Sequence, residues 1–103
     1  MTEYRLISEP PADADVEAAF EWYESERPGL GLEFLDELRA AYNRIADGPH
    51  KYQELRGGIR RALLRRFPYA VYFAIEGEVV VVVAVLHASR DPAEWQRRRG
   101  QHL

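Results

Sequence analysis

Tyr69-Ala70-Val71-Tyr72-Phe73-Ala74-Ile75-Glu76-Gly77-Glu78-Val79-Val80-Val81-Val82-Val83-Ala84-Val85-Leu86 is the stretch that decides the fold. In its first half Tyr69, Val71, Phe73 and Ile75 alternate with Ala70, Tyr72 and Ala74, the period of two that a strand needs. Glu76-Gly77-Glu78 reads as a hairpin turn, because glycine takes the positive φ such turns require. Val79 to Leu86 is apolar on both parities, so this strand is expected to be buried on both faces and central in its sheet.

Upstream, Gly57-Gly58 opens a further strand expected over residues 59–67, which Pro68 closes. Three consecutive strands joined this way make an antiparallel meander. Before it the period changes. Val16, Ala19, Phe20 and Tyr23 form one helical stripe from about Ala14, with Asp13 or Asp15 as candidate N-caps. Arg27-Pro28-Gly29 breaks that helix. A second helix, from about Gly31, carries Leu35, Leu38, Tyr42 and Ile45 and stops at Asp47-Gly48-Pro49. At the start, Tyr4-Arg5-Leu6-Ile7 reads as a strand ended by Pro10-Pro11. At the end, Asp91-Pro92-Ala93-Glu94 reads as an N-cap, a first-turn proline and a third-position Glu, opening a short helix with Trp95. The order is β-α-α-β-β-β plus a C-terminal helix. It implies an α+β fold in one domain over residues 1–103, with the helical hairpin packed on one face of the sheet.

Composition narrows the function. The 103 residues are 47% hydrophobic and 30% charged, ordinary for a globular domain, and include no cysteine, which excludes disulfides and thiolate metal sites. No metal-ligand spacing, paired-carboxylate motif or glycine-rich phosphate loop is present, so no cofactor or metal is expected. The N-terminal segment lacks a basic stretch followed by an apolar one, and Val79 to Leu86 falls far short of a membrane span. A cytoplasmic protein without a membrane partner is expected. The net charge of −3 is unevenly spread: residues 1–50 hold 12 Asp/Glu against 4 Arg/Lys, and residues 51–103 hold 10 Arg/Lys against 5 Asp/Glu. Either the basic half faces an anionic partner, or the two halves complement each other within the fold.

Two segments carry a family resemblance. Arg60-Arg61-Ala62-Leu63-Leu64-Arg65-Arg66-Phe67-Pro68-Tyr69-Ala70-Val71-Tyr72-Phe73 and Val85-Leu86-His87-Ala88-Ser89-Arg90-Asp91-Pro92-Ala93-Glu94-Trp95, together with the element order, resemble RelE/ParE toxins. The motifs look more like the ParE side, whose members are often called plasmid stabilisation proteins. The resemblance implies a toxin of a type II toxin–antitoxin system, neutralised by a cognate antitoxin in a hetero-oligomer. ParE-like toxins act on DNA gyrase, whereas RelE-like toxins cut messenger RNA on the ribosome. A third alternative is a non-toxic remnant that only binds its antitoxin. An antitoxin segment that folds on binding is expected over the helical hairpin and the adjoining sheet edge.

If the protein were a ribonuclease, His87 would be the acid or base and Arg61, Arg65 and Arg90 the anion clamps. Each residue also has a structural reading. His87 closes a buried strand and can satisfy a nearby backbone group. Arg90 can brace the turn by pairing with Asp91 or Glu94. Arg61 and Arg65 can lie over acidic residues of the hairpin or bind the antitoxin. Tyr69 and Tyr72 either stack on a base or belong to the core. Arg97 to Arg99 are expected in a solvated tail, and His50 and His102 in loops without a specific role. A single lysine, Lys51, and a negative net charge argue against RNA cleavage, because phosphate contacts dominate RNA affinity. The leading expectation is a toxin that binds a protein target.

Overall fold

A computed structural model describes residues 3–101. The expectations for His102 and for the Arg99 side chain lie outside the described residues. The chain runs β1 (Arg5–Ser8), α1 (Pro10–Glu26), α2 (Leu30–Asp47), a 3-10 turn at Pro49–Lys51, β2 (Ile59–Leu63), β3 (Tyr69–Glu76), β4 (Val79–His87) and α3 (Ala93–Gln101). The sheet order is β1-β4-β3-β2, with β1 parallel to β4 and the other pairs antiparallel. This is the expected α+β arrangement, and the valine-rich strand is interior.

Two boundaries differ from the sequence reading. First, α1 starts at Pro10 rather than near Ala14. Prolines at the first helical positions lose nothing, since those amides have no helical acceptor. Glu9 stands at the N-cap without a side-chain bond, and neither Asp13 nor Asp15 is the cap. Asp13 instead accepts the Ser8 hydroxyl at 2.5 Å. Second, β2 ends at Leu63 rather than reaching Phe67. Glu37 of α2 takes the amides of Arg65 and Arg66, which turns the chain away from the ladder. The second helix begins close to the expected Gly31, at Leu30, after Gly29 at φ 89°. With no side chain at that cap, Glu24 of α1 supplies the acceptors, taking the amides of Gly29 at 2.9 Å and Gly31 at 3.0 Å. The two helices cross closely there: a Cβ on Gly31 would lie 2.7 Å from the Phe20 ring.

The sheet buries both faces. On one, Phe34, Leu38, Ala41 and Ile45 of α2 and Ala12 and Ala19 of α1 pack on Val71, Phe73, Val80, Val82 and Val85. Tyr23, Phe34, Phe67 and Tyr69 close one end of this core, with ring centroids 4.8–5.9 Å apart. On the other face, Tyr72, Ala74, Val81, Val83 and Ala84 lie with Trp95 of α3. Trp95 stacks on Tyr72, centroids 5.5 Å apart and planes within 15°. Burying aromatic rings of this size contributes a few kcal/mol each by area. The register slips between Tyr72 and Phe73, so Val83 is the extra residue of a bulge. The bulge reverses parity along β4. Val80 and Val82 face the hairpin before it, and Val85 faces the hairpin after it.

Candidate functional site

His87 ends β4 opposite Tyr69, the first residue of β3. Their rings meet edge-on, 5.6 Å between centroids. The Ser89 amide donates to His87 Nδ1 at 3.1 Å, and the Ser89 hydroxyl lies 2.8 Å from the same nitrogen. His87 is thus oriented by its own turn, with Nδ1 toward Ser89. The Arg90 amide donates to the His87 carbonyl at 2.9 Å, and the Arg90 side chain pairs with Glu94 at 3.4 Å. Burial raises the Tyr69 hydroxyl above its ordinary value, the Arg90 charge pulls it back, and Asp15 pushes it up. Tyr69, His87 and Arg90 therefore share one end of the sheet.

Arg61 and Arg65 stand elsewhere. Arg61 pairs with Tyr72 across β2 and β3, and β3 separates it from β4. Arg65 lies past the end of β2 and lines a cleft of about 330 Å³ against α2, with Glu33, Asp36, Glu37, Arg44 and Arg66. Among the described residues, no side-chain hydrogen bond or ion pair joins any two of His87, Arg61, Arg65 and Arg90. The two tyrosines named in the sequence also diverge: Tyr72 is core, 1% exposed, and Tyr69 is partly buried.

A more tightly built polar group was missed in the sequence. Asp15 and Arg98 form a two-pronged ion pair at 2.8 and 3.0 Å, with side chains only 13% and 16% exposed. Asp15 also accepts the Val85 amide at 3.0 Å, and Arg98 donates to the Val83 carbonyl at 3.1 Å. Hydrogen bonding to Asp15 pushes the Arg98 guanidinium above its already high value. Arg98 is therefore no part of a solvated tail, whereas Arg97 is exposed and pairs with Glu94. The expected complementarity of the two halves is realised in part: Arg98 meets Asp15, and Arg66 meets Glu33 and Glu37.

The hairpin offers an apolar surface. Leu35, Leu38, Arg39 and Tyr42 line a shallow cavity of about 210 Å³, and Trp22 and Leu32 are 59% and 60% exposed. Burial pushes the Tyr42 hydroxyl up to about 12, with Asp13 and Asp15 adding to the shift, so it stays a neutral donor. Among the described residues no cluster of His, Asp and Glu could hold a metal ion, and no helix is long and apolar enough to cross a membrane.

The model of the ParE toxin of the type II toxin–antitoxin system parDE matches residues 6–92. The chain belongs to the ParE toxin family. Solved structures agree with this family in fold. The chromosomal ParDE toxin–antitoxin system of P. aeruginosa superposes with a TM-score of 0.74 at 17% identity, covering 82% of this chain and 96% of that one. E. coli RelE, solved as a mutant in the free state, gives 0.62 at 16% identity over 99% of both chains. The RelBE2 toxin–antitoxin complex of Mycobacterium tuberculosis gives 0.58 at 18% identity, covering 84% of this chain and 99% of that one. No curated relative matches the sequence. Since both ParE and RelE structures superpose, the fold of this ParE family member does not choose between their activities.

Proposed function

We propose that this protein is a ParE-like toxin of a type II toxin–antitoxin pair, acting in the cytoplasm by binding DNA gyrase and silenced by a cognate antitoxin. The observation that carries the non-enzymatic reading is the state of the candidate catalytic set. His87 is held by the Ser89 amide, Arg90 is paired with Glu94, and Arg61 is two strands away from His87. A general acid–base group needs a free nitrogen in reach of substrate and a phosphate clamp beside it. Here Arg61 and Arg65 do not converge on the histidine, and Arg90, which shares its turn, is paired with Glu94. The match to the ParE family supports the same target class. The apolar cavity on α2, with Trp22 and Leu32 exposed on the hairpin, suits an amphipathic antitoxin helix.

One observation favours the ribosome-dependent mRNA endonuclease as a second reading. Tyr69, His87 and Arg90 share one end of the sheet, where a ring, an imidazole and a guanidinium can meet a nucleotide. The test is induction of the protein alone in a bacterium, scoring growth, transcript integrity and the DNA-damage response together, with His87→Ala alongside. Arrest with a damage response and intact transcripts, retained in His87→Ala, is the expected result. Fragmented transcripts that vanish in a folded His87→Ala variant would move the activity to RNA. No arrest at all would leave an antitoxin-binding remnant.

A further inference from the structure

β1 closes the side of the sheet opposite to β2, with β4 as its one neighbouring strand. The Arg5 amide donates to the Glu78 carbonyl and the Glu9 amide to the Val82 carbonyl, both at 3.0 Å. Alternate residues of a strand turn their backbone groups to the same side, so Arg5, Ile7 and Glu9 face β4. Leu6 and Ser8 therefore present amide and carbonyl outward. Among the described residues no backbone hydrogen bond meets them there. Leu6 packs with the hairpin core, so Ile7 points to the opposite face of the sheet, where it is 46% exposed. An open backbone edge and an exposed β-branched side chain coincide, the combination that invites another strand.

Symmetry and charge select the strand. A second copy meeting this edge about a two-fold axis pairs antiparallel, and outward backbone groups must face outward ones. Both hairpins then lie on one face of the joined sheet. With Leu6 on the axis, Glu3 stands directly opposite Glu9 of the other copy, and like charges so placed repel. With Ser8 on the axis, Leu6 faces Pro10, which has no amide and opens α1. With Ile7 on the axis, Leu6 and Ser8 of the two copies exchange main-chain bonds, the two Ile7 side chains meet, and Arg5 faces Glu9 at both ends. Glu9 continues the strand, at φ −80° and ψ 153°, so its side chain shares the face of Arg5 and Ile7. Among the described residues the Arg5 side chain makes no hydrogen bond or ion pair. A carboxylate accepts from several donors at once, so Glu9 can take Arg5 without giving up another contact.

We propose that β1 is a self-association edge. Two copies of the chain join antiparallel about Ile7 into one continuous sheet, with Arg5 of each paired to Glu9 of the other. Main-chain bonds hold the copies together and the ion pairs fix the register. The proposal is independent of the toxin reading, since it uses only the geometry and charge of this edge.

The test is disulfide trapping in the full chain, which has no cysteine of its own. Directly opposed residues of a non-bonded antiparallel pair bring their Cα atoms to about 4.5 Å, within disulfide reach. Ile7→Cys is expected to cross-link to a covalent dimer under mild oxidation, and Arg5→Cys and Leu63→Cys at least tenfold more slowly. Sedimentation over a dilution series reads the reversible dimer. An interface this small is weak, so half-association is expected near about 0.1 mM. Arg5→Glu and Glu9→Arg are each expected to raise the dissociation constant of the dimer at least tenfold, and the two together to restore it. Glu9 makes no side-chain cap bond to α1, so the swap removes no cap. Circular dichroism checks that each variant folds; if a charge variant does not, the cysteine pattern decides alone. Equal cross-linking at the three cysteines, fastest cross-linking at Leu63, a parent that sediments as a monomer throughout, or a double swap no tighter than the single ones would each overturn the proposal.

Discussion

Two strands in this sheet leave part of an edge without a neighbouring strand, and the protein treats them differently. β4 runs beyond β1, whose pairing ends at Ser8 and Val82. There Asp15 and Arg98 take over, meeting the Val85 amide and the Val83 carbonyl with side-chain atoms. β2 runs beyond residues 53–55, which fold back over its first half through the Leu55 amide to the Ile59 carbonyl and the Arg61 amide to the Gln53 carbonyl, and among the described residues nothing comparable meets Leu63. The difference follows from the side chains. Val83 to Leu86 is uncharged and rich in β-branched residues, the composition most prone to pairing with another chain. It needs a seal. β2 carries Arg60 and Arg61, and Arg65 and Arg66 follow at once, so charge already deters self-pairing. An edge guarded by charge can stay open to a chosen partner; an apolar edge cannot.

The sharpest way to break this comparison is to remove the seal. Asp15→Ala strands a largely buried guanidinium and an edge amide together, and loss of one partner of a buried pair costs about 3–5 kcal/mol. Urea unfolding should register a loss of that size, and light scattering should show self-association at concentrations where the parent is monodisperse. Arg98→Lys keeps the charge but loses the fork, so a smaller loss, about 1–2 kcal/mol, is expected. If Asp15→Ala unfolds like the parent and stays dispersed, the ion pair is no seal.

A second seal lies at the end of β2. Burial pushes the Glu37 carboxyl up, but the amide and side chain of Arg66, the amide of Arg65 and the Arg66 charge together hold it below its ordinary value of 4.5. A carboxylate with a lowered folded-state pKa contributes stability that is complete above the unfolded value. That contribution is lost as pH falls from about 4.5 through the lower folded value. Glu37→Gln should therefore cost stability at pH 7, on the order of 1–2 kcal/mol for hydrogen bonds to a charged group. The cost should shrink toward pH 3. A difference between variant and parent that does not change over pH 7 to 3 would show that the carboxylate charge is not what ends the strand.

Element type and order were legible in the sequence because they rest on period. Alternation at Tyr69 to Ile75, helical stripes at Val16 to Tyr23 and Leu35 to Ile45, and the Asp91-Pro92 start of α3 are local signals. Asp91 does accept the Ala93 amide, at 2.9 Å. Most of what the sequence hid shares one physical origin. Where β2 stops, where α2 is capped and how β4 is sealed are set by carboxylates from distant elements: Glu37, Glu24 and Asp15. None of these stands out from the other acidic residues of two amphipathic helices. The bulge at Val83 was invisible for another reason, since a run of valines has no parity to reverse. In the candidate site, the sequence placed His87 and Arg90 at one turn, as found. It joined Arg61 and Arg65 by a strand parity that ends when the chain leaves the ladder at Leu63.

The smallest effect is expected at the open edge, and it sharpens the comparison most. Leu63→Thr replaces an exposed apolar side chain by one that suits a strand equally well. If the edge at Leu63 contributes nothing to holding the fold, stability should stay within about 0.5 kcal/mol of the parent, the usual range for exposed substitutions. Thermal and urea unfolding would both read this. A loss near 2 kcal/mol would mean that Leu63 packs against something in the folded chain. The two edges would then both be structural, and charge would no longer explain why one was left open. A null effect on unfolding, set beside the loss at Asp15, would leave the exposure of Leu63 without a purpose inside the molecule. Selection against exposed apolar edges is strong enough that such a residue is expected to serve a contact outside it.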